Sequence, residues 1–98
     1  MQKLIGVGDK YWPPLWNEIN DSPTNVNIAG NPELLSKPAI AIVGTRKASN
    51  LGQAVAKKIA CDLSNAGFVI VSGLAMGIDT AAHLGALEGS GNTIAIMA

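Results

Sequence analysis

Residues 39–73 read AIAIVGTRKASNLGQAVAKKIACDLSNAGFVIVSG, two apolar runs of strand length that each end in glycine, joined by a segment with helical spacing. An unbroken apolar run is what a parallel strand covered on both faces requires, because neither set of alternating side chains meets water. AIAIVG and FVIVSG therefore predict two such strands. Between them Ser49 is placed to cap a helix. Its apolar positions Leu51, Val55, Ile59 and Leu63 recur every four residues with Ala56 and Ala60 beside them, and Gly67 is placed to end it.

The same pattern continues downstream. After Gly77, IDTAAHLGAL resumes helical spacing, with Asp79 read as its N-cap, and TIAIM at 93–97 reads as a third strand after the turn Gly89-Ser90-Gly91-Asn92. Strands separated by helices must cross over, and right-handed crossovers make them parallel neighbours. Upstream, Pro13, Pro14, Pro23, Pro32 and Pro38 punctuate short apolar pieces. Residues 1–38 are thus expected to form an irregular arm with short helices, one at about 14–19 and one opening at Asn31-Pro32-Glu33 with Asn31 as cap. The expected fold is α/β: a Rossmann-like, three-layer half-fold in residues 39–98, with a parallel sheet of about three strands in the order β-α-β-α-β. Its apolar edge would pair with a second chain or with further sequence.

Hydrophobic residues make up 48% of the 98 and charged residues 14%, which excludes a disordered chain. One cysteine, Cys61, cannot form an internal disulfide and reads as a small buried apolar residue. There is no charged-then-apolar leader and no apolar run near the roughly 20 residues of a membrane span, so a cytoplasmic protein without membrane contact is expected. Net charge is zero, yet Lys37, Arg46, Lys47, Lys57 and Lys58 follow one another without an acid between Glu33 and Asp62, and no lysine or arginine follows Asp62. A basic block on one strand-loop-helix unit suits an anionic partner.

Parallel geometry places the loops after Gly44 and Gly73 at the carboxyl ends of their strands, on one rim where open α/β sheets bind ligands. Each leads into a helix N-terminus, whose unpaired N–H groups favour an anion, and glycine permits close approach to the backbone. Arg46 can fork onto a phosphate that Thr45 also touches. Neither loop matches GxGxxG or GxxxxGK[ST], which speaks against familiar dinucleotide binding or NTP hydrolysis. Asp79 caps its helix or orders the glycine loop. His83, one turn on, reads as a buried structural histidine, since no second histidine or cysteine cluster accompanies it. Trp12 and Trp16, four apart, read as a packing pair. No catalytic residue, metal site or cofactor is expected.

The segments AIVGTRKAS, VIVSGLAMGIDTAAHLGAL and GNTIAIMA, with the lead-in AGNPELLSKPAIAIVG, resemble the DNA-processing protein A (DprA, or Smf) family over roughly residues 11–98. Members bind single-stranded DNA without catalysis and help load the RecA recombinase onto it during natural transformation, through an extended Rossmann-like domain that dimerises. The resemblance implies a DNA site at Gly44, Thr45, Arg46, Ser72, Gly73 and Gly77, with Arg46 foremost and Lys47 beside it in the basic block, and it implies single-stranded DNA, RecA and a second copy as partners. Full-length relatives continue with further strands and basic residues, so the chain is either a piece of a longer protein or a trimmed relative. Met76 stands where relatives often carry a polar or basic residue. The alternative is a nucleotide-binding or nucleotide-cleaving domain of the related phosphoribohydrolase superfamily, whose PGGxGTxxE segment is absent here.

Overall fold

The computed structural model describes residues 2–19 and 22–97. Five strands, β1 (Gln2–Gly6), β2 (Asn25–Ala29), β3 (Ala39–Ala41), β4 (Val69–Ser72) and β5 (Thr93–Met97), form one sheet in the order β1-β2-β5-β4-β3. Two helices, α1 (Asn50–Asn65) and α2 (Ile78–Glu88), connect β3 to β4 and β4 to β5. The expected β-α-β-α-β unit is present with its three strands as parallel neighbours, in the registers Ile40↔Ile70 and Val71↔Ile94.

The N-terminal region carries more order than an irregular arm. It holds the two expected short helices, both 3₁₀ (Pro14–Glu18 and Pro32–Ser36), and in addition β1 and β2. These strands extend the sheet antiparallel from β5, pairing Ile28 with Ile96 and Ile5 with Val26, so the sheet is mixed, with two parallel and two antiparallel pairs. The signal was the alternation Asn25-Val26-Asn27-Ile28, the period of a strand with one wet face, hidden between prolines.

Strand alternation gives each face its own core. On one face Ile5, Ile28, Val69 and Ile94 pack with Leu34 and Trp12, whose indole N–H donates to Asn17 Oδ1 (2.9 Å) and whose ring meets Trp16 edge-on at 5.0 Å. On the other face Ile70 packs against Ala60, Ala82 and Ala86 of the two helices. Full burial of an Ile or Val is worth about 1.5–3 kcal/mol, so these few side chains supply much of the drive for folding.

The helix termini follow local chemistry. Ser49 Oγ accepts from Gly52 N–H at 3.0 Å, closing the start of α1 as expected. At its end Gly67 takes φ +100°, while Gly67 N–H donates to Ser64 O and Phe68 N–H to Leu63 O, the paired bonds of a Schellman stop. Asn31 likewise caps its short helix through Glu33 N–H. The expected Asp79 cap is corrected, because Gly77, two residues earlier, is the N-cap of α2 and Asp79 lies within its first turn.

A second correction concerns the face of α1. Its buried positions are Ala56, Ala60 and Ser64, whereas Leu51, Val55 and Ile59 are exposed. The cause is the approach of α2: a Cβ on Gly85 would collide with the Lys57 carbonyl, and one on Gly89 would lie 2.7 Å from the Cys61 carbonyl. Only small residues fit such backbone contact, so the small stripe turns inward and the large one outward. Ser64 Oγ bonds to Ala86 O and Lys57 to Glu88, tying the helices further. β3 is also an edge strand with Ala39 and Ala41 exposed, as is Val43 just beyond it, not a strand covered on both faces. Ala41, Val43, Val55 and Ile59 consequently line an open apolar groove of about 450 Å³.

Gly85→Ala should destabilise the chain by roughly 1–3 kcal/mol through overpacking, even though alanine favours helix by about 1 kcal/mol. A urea unfolding midpoint no lower than that of the parent would contradict the close-packed helix pair.

Candidate nucleic-acid interface

The two glycine loops meet at one rim. Ile78 N–H, at the start of α2, donates to Thr45 O at 3.3 Å, and Gly77 (φ +81°) lies against the carbonyls of Thr45 and Arg46. A Cβ on Gly44 would fall 2.7 Å from the Ile78 side chain, and one on Gly73 would fall 2.9 Å from Asp79 Oδ2. These glycines are accounted for by the mutual packing of the loops, a reason that local sequence does not reveal. The packing leaves the loops' other groups outward. Among the described residues no acceptor meets the N–H groups of Leu74, Ala75, Met76 and Gly77, and such a run of free donors at a helix N-terminus suits an anion or a ligand carbonyl.

Gly44, Thr45, Arg46 and Lys47 are exposed on the first loop. Thr45 Oγ1 accepts from Lys47 N–H (3.1 Å), which shapes the loop into a turn. Among the described residues neither Arg46 nor Lys47 is paired with an acid, whereas Lys57 bridges to Glu88 and Lys58 to Asp62. The Asp62 hydrogen bond and charge hold the Lys58 ammonium above the ordinary lysine value. The basic block thus resolves into two neutralised helix lysines, a free loop pair, and Lys37 at the end of the second 3₁₀ helix.

Ser72 does not join the surface. It is 2% exposed and its hydroxyl donates to Ile42 O at 2.6 Å, locking the ends of β3 and β4 together. The expected ligand contact at Ser72 is corrected on that ground. Gly73 and Gly77 are half-buried within the rim. Asp79 is 7% exposed, and no described residue donates a hydrogen bond to its carboxylate. Expected as a cap or loop-ordering group, it lies at the rim with Oδ2 against Gly73. Leu74 and Met76 project as exposed apolar side chains on the same loop.

His83 clamps this arrangement from below. Its Nε2 lies 2.7 Å from Gly73 O, which can only accept, so Nε2 donates. Nδ1 lies 2.6 Å from Thr93 Oγ1, and that hydroxyl is also 2.9 Å from Ile70 O. Both ring nitrogens are engaged internally, joining α2 to the ends of β4 and β5. Another open concavity, of about 870 Å³, lies among the N-terminal segments between Tyr11 and Pro38, remote from the glycine loops.

Comparison with known proteins fits this geometry. Residues 3–98 match the family model described as DNA recombination-mediator protein A. The chain belongs to that family. It is 45% identical over 93 residues to the DNA processing protein DprA of Streptococcus pneumoniae, covering 95% of this chain and 33% of that one. It is 37% identical to DprA of Bacillus subtilis, covering 96% of this chain and 32% of the relative. It thus spans about a third of the length of these curated relatives. The X-ray structure of the S. pneumoniae protein superposes with a TM-score of 0.80 at 42% identity, over 93% of this chain and 32% of that one. A DNA processing protein A from Helicobacter pylori, whose structure is described for its single-stranded DNA binding mode, gives 0.74 at 29% identity, over 93% of this chain and 40% of that one. The Rossmann-like α/β fold expected from the sequence is thereby that of the family.

Replacing His83 by alanine removes two buried-edge hydrogen bonds and should lower stability by about 1–3 kcal/mol. Equilibrium denaturation checks this, and an unchanged midpoint would refute the clamp.

Proposed function

We propose that this chain binds single-stranded DNA along the rim formed by residues 44–47 and 73–77, without catalysis, as the DNA-holding part of a recombination mediator that assists RecA loading during DNA uptake in the cytoplasm. The observation that carries the reading is the juxtaposition of Arg46 and Lys47, free of acidic partners among the described residues, with the unsatisfied N–H groups of Leu74 to Gly77. A cationic fork beside backbone donors recognises phosphate oxygens without reading sequence. Membership of the family, and the single-stranded DNA binding described for the H. pylori relative, support the same assignment. Both ring nitrogens of His83 serve the fold, consistent with binding rather than acid-base chemistry. Among the described residues no helix is long and apolar enough to cross a membrane.

Arg46→Ala should weaken binding of an oligo-dT probe in fluorescence anisotropy by roughly the same factor for every base composition, and lower the salt slope of log K by about 0.7, the value for one phosphate contact on a single strand. An unchanged affinity and slope would overturn the role of Arg46. No binding by the parent at low salt would overturn the function.

Self-association completes the reading. The uncovered β3 edge lies beside Val43, Leu51, Val55 and Ile59, an apolar face of the kind that marks an interface. The second copy offers the same edge and face, so pairing across a two-fold axis covers both at once. Sedimentation should show a mass that rises with concentration for the parent and a monomer for Ile59→Glu. A parent that stays monomeric across the range would refute this part alone.

A further inference from the structure

Of the seven lysines and arginines, Lys57 and Lys58 are ion-paired among the described residues, and Arg46 and Lys47 stand at the rim. The remaining three, Lys3, Lys10 and Lys37, gather at the open concavity of the N-terminal segments, which no residue of the glycine loops lines. Lys10 and Lys37 belong to its wall. Lys3 reaches it through Tyr11, a wall residue whose ring carries the ammonium groups of Lys3 and Lys10, each 4.9 Å from its centre. Two cations held on one ring repel each other, and an anion beside them relieves that repulsion. Glu33 is the one carboxylate of the wall, and Asp9, just outside it, already accepts the Tyr11 N–H at 3.0 Å, so cations prevail at the mouth. The floor is apolar and firmly held: Leu35 packs on the core, and Trp12 is fixed by its bond to Asn17. Leu15 stands 73% exposed at the edge. A stacking base needs a bare aromatic face, but Trp12 is buried and the Tyr11 ring is taken by ammonium groups. What remains open to a ligand is leucine and proline, in a concavity of about 870 Å³.

We propose that this concavity docks an acidic peptide segment of a separate protein, with bulky aliphatic side chains seated on Leu15, Leu35 and the neighbouring prolines, and carboxylates reaching Lys3, Lys10 and Lys37. An apolar floor excludes water and supplies affinity, while charges at the edge speed encounter and set the direction of the bound segment. Charge complementarity selects the occupant: a basic or purely apolar segment leaves the three ammonium groups unmatched. The site shares no residue with the rim at 44–47 and 73–77, so the chain can hold a nucleic acid and a protein segment together. The inference stands apart from the single-stranded DNA reading and does not depend on it.

A short labelled peptide of alternating aspartate and leucine should be titrated by fluorescence anisotropy at low salt. Two control peptides carry asparagine in place of aspartate, or alanine in place of leucine. The parent should bind the first peptide, bind each control roughly fivefold more weakly, and lose affinity as salt is raised. Lys10→Gln combined with Lys37→Gln should weaken the aspartate–leucine peptide by roughly fivefold, the size of two exposed ion pairs. Leu15→Asn should weaken it severalfold through lost apolar contact, and Arg46→Ala should leave it unchanged. No binding of that peptide by the parent overturns the proposal, as does equal binding of all three peptides. An affinity that falls with Arg46→Ala and not with the lysine pair also overturns it, by moving the peptide to the rim. Oligo-dT titrated against the same proteins reads the rim separately. Loss of oligo-dT affinity in the lysine variant, with the peptide unaffected, assigns the cluster to nucleic acid and overturns the peptide site. Lys10, Leu15 and Lys37 are all exposed, and the three peptides compared on the parent decide even where a variant does not fold.

Discussion

The backbones of α1 and α2 touch where Gly85 meets the Lys57 carbonyl and Gly89 the Cys61 carbonyl, and much of the molecule follows from that closeness. Only alanine, glycine and serine fit between the helices, so the core on this side of the sheet is built from Ala60, Ala82 and Ala86 beneath Ile70. The helices are thereby held side by side on one face, with their N-termini at one end. The contact of Ile78 N–H with Thr45 O and the seating of Gly77 on the 45–46 carbonyls continue the same packing into the loops. A rim that holds free backbone donors needs such rigid support, because donors that can reorganise lose their advantage over water.

Electrostatically the rim is asymmetric though the chain is neutral. Two of the lysines that make the sequence look basic in its middle are neutralised on the helix surface by Glu88 and Asp62. At the rim itself the positive charge is that of Arg46 and Lys47. Across the rim, residues 73–79 carry one charge, the Asp79 carboxylate against Gly73.

The same helix contact explains the uncovered face. Turning the small stripe of α1 inward exposes Leu51, Val55 and Ile59, and β3 beside them has an unpaired edge. Domains expose apolar patches of this kind where another surface is to cover them. The chain matches about a third of the length of its curated relatives, and its sheet is open on the side where β3 lies.

What the residues determined alone was local and periodic. Apolar runs ending in glycine marked β3 and β4, an apolar run after a glycine turn marked β5, Ser49, Asn31 and Gly67 marked helix ends, and parallel crossovers placed the Gly44 and Gly73 loops on one rim. Arg46 and Lys47 were legible as loop cations because nothing acidic stands near them in the chain. Tertiary structure decided what depends on contacts distant in sequence. β1 and β2 join the sheet because Ile5 and Ile28 find Ile94 and Val69, far along the chain. Ser72 turns inward because the Ile42 carbonyl, thirty residues earlier, lies within its reach. The stripe of α1 that is buried was set by how near α2 comes, and spacing along one helix carries no information about the thickness of its neighbour. Asp79 could be read as a cap from its place before a helix. Only the fold shows it within the first turn of α2, buried, with Oδ2 against Gly73.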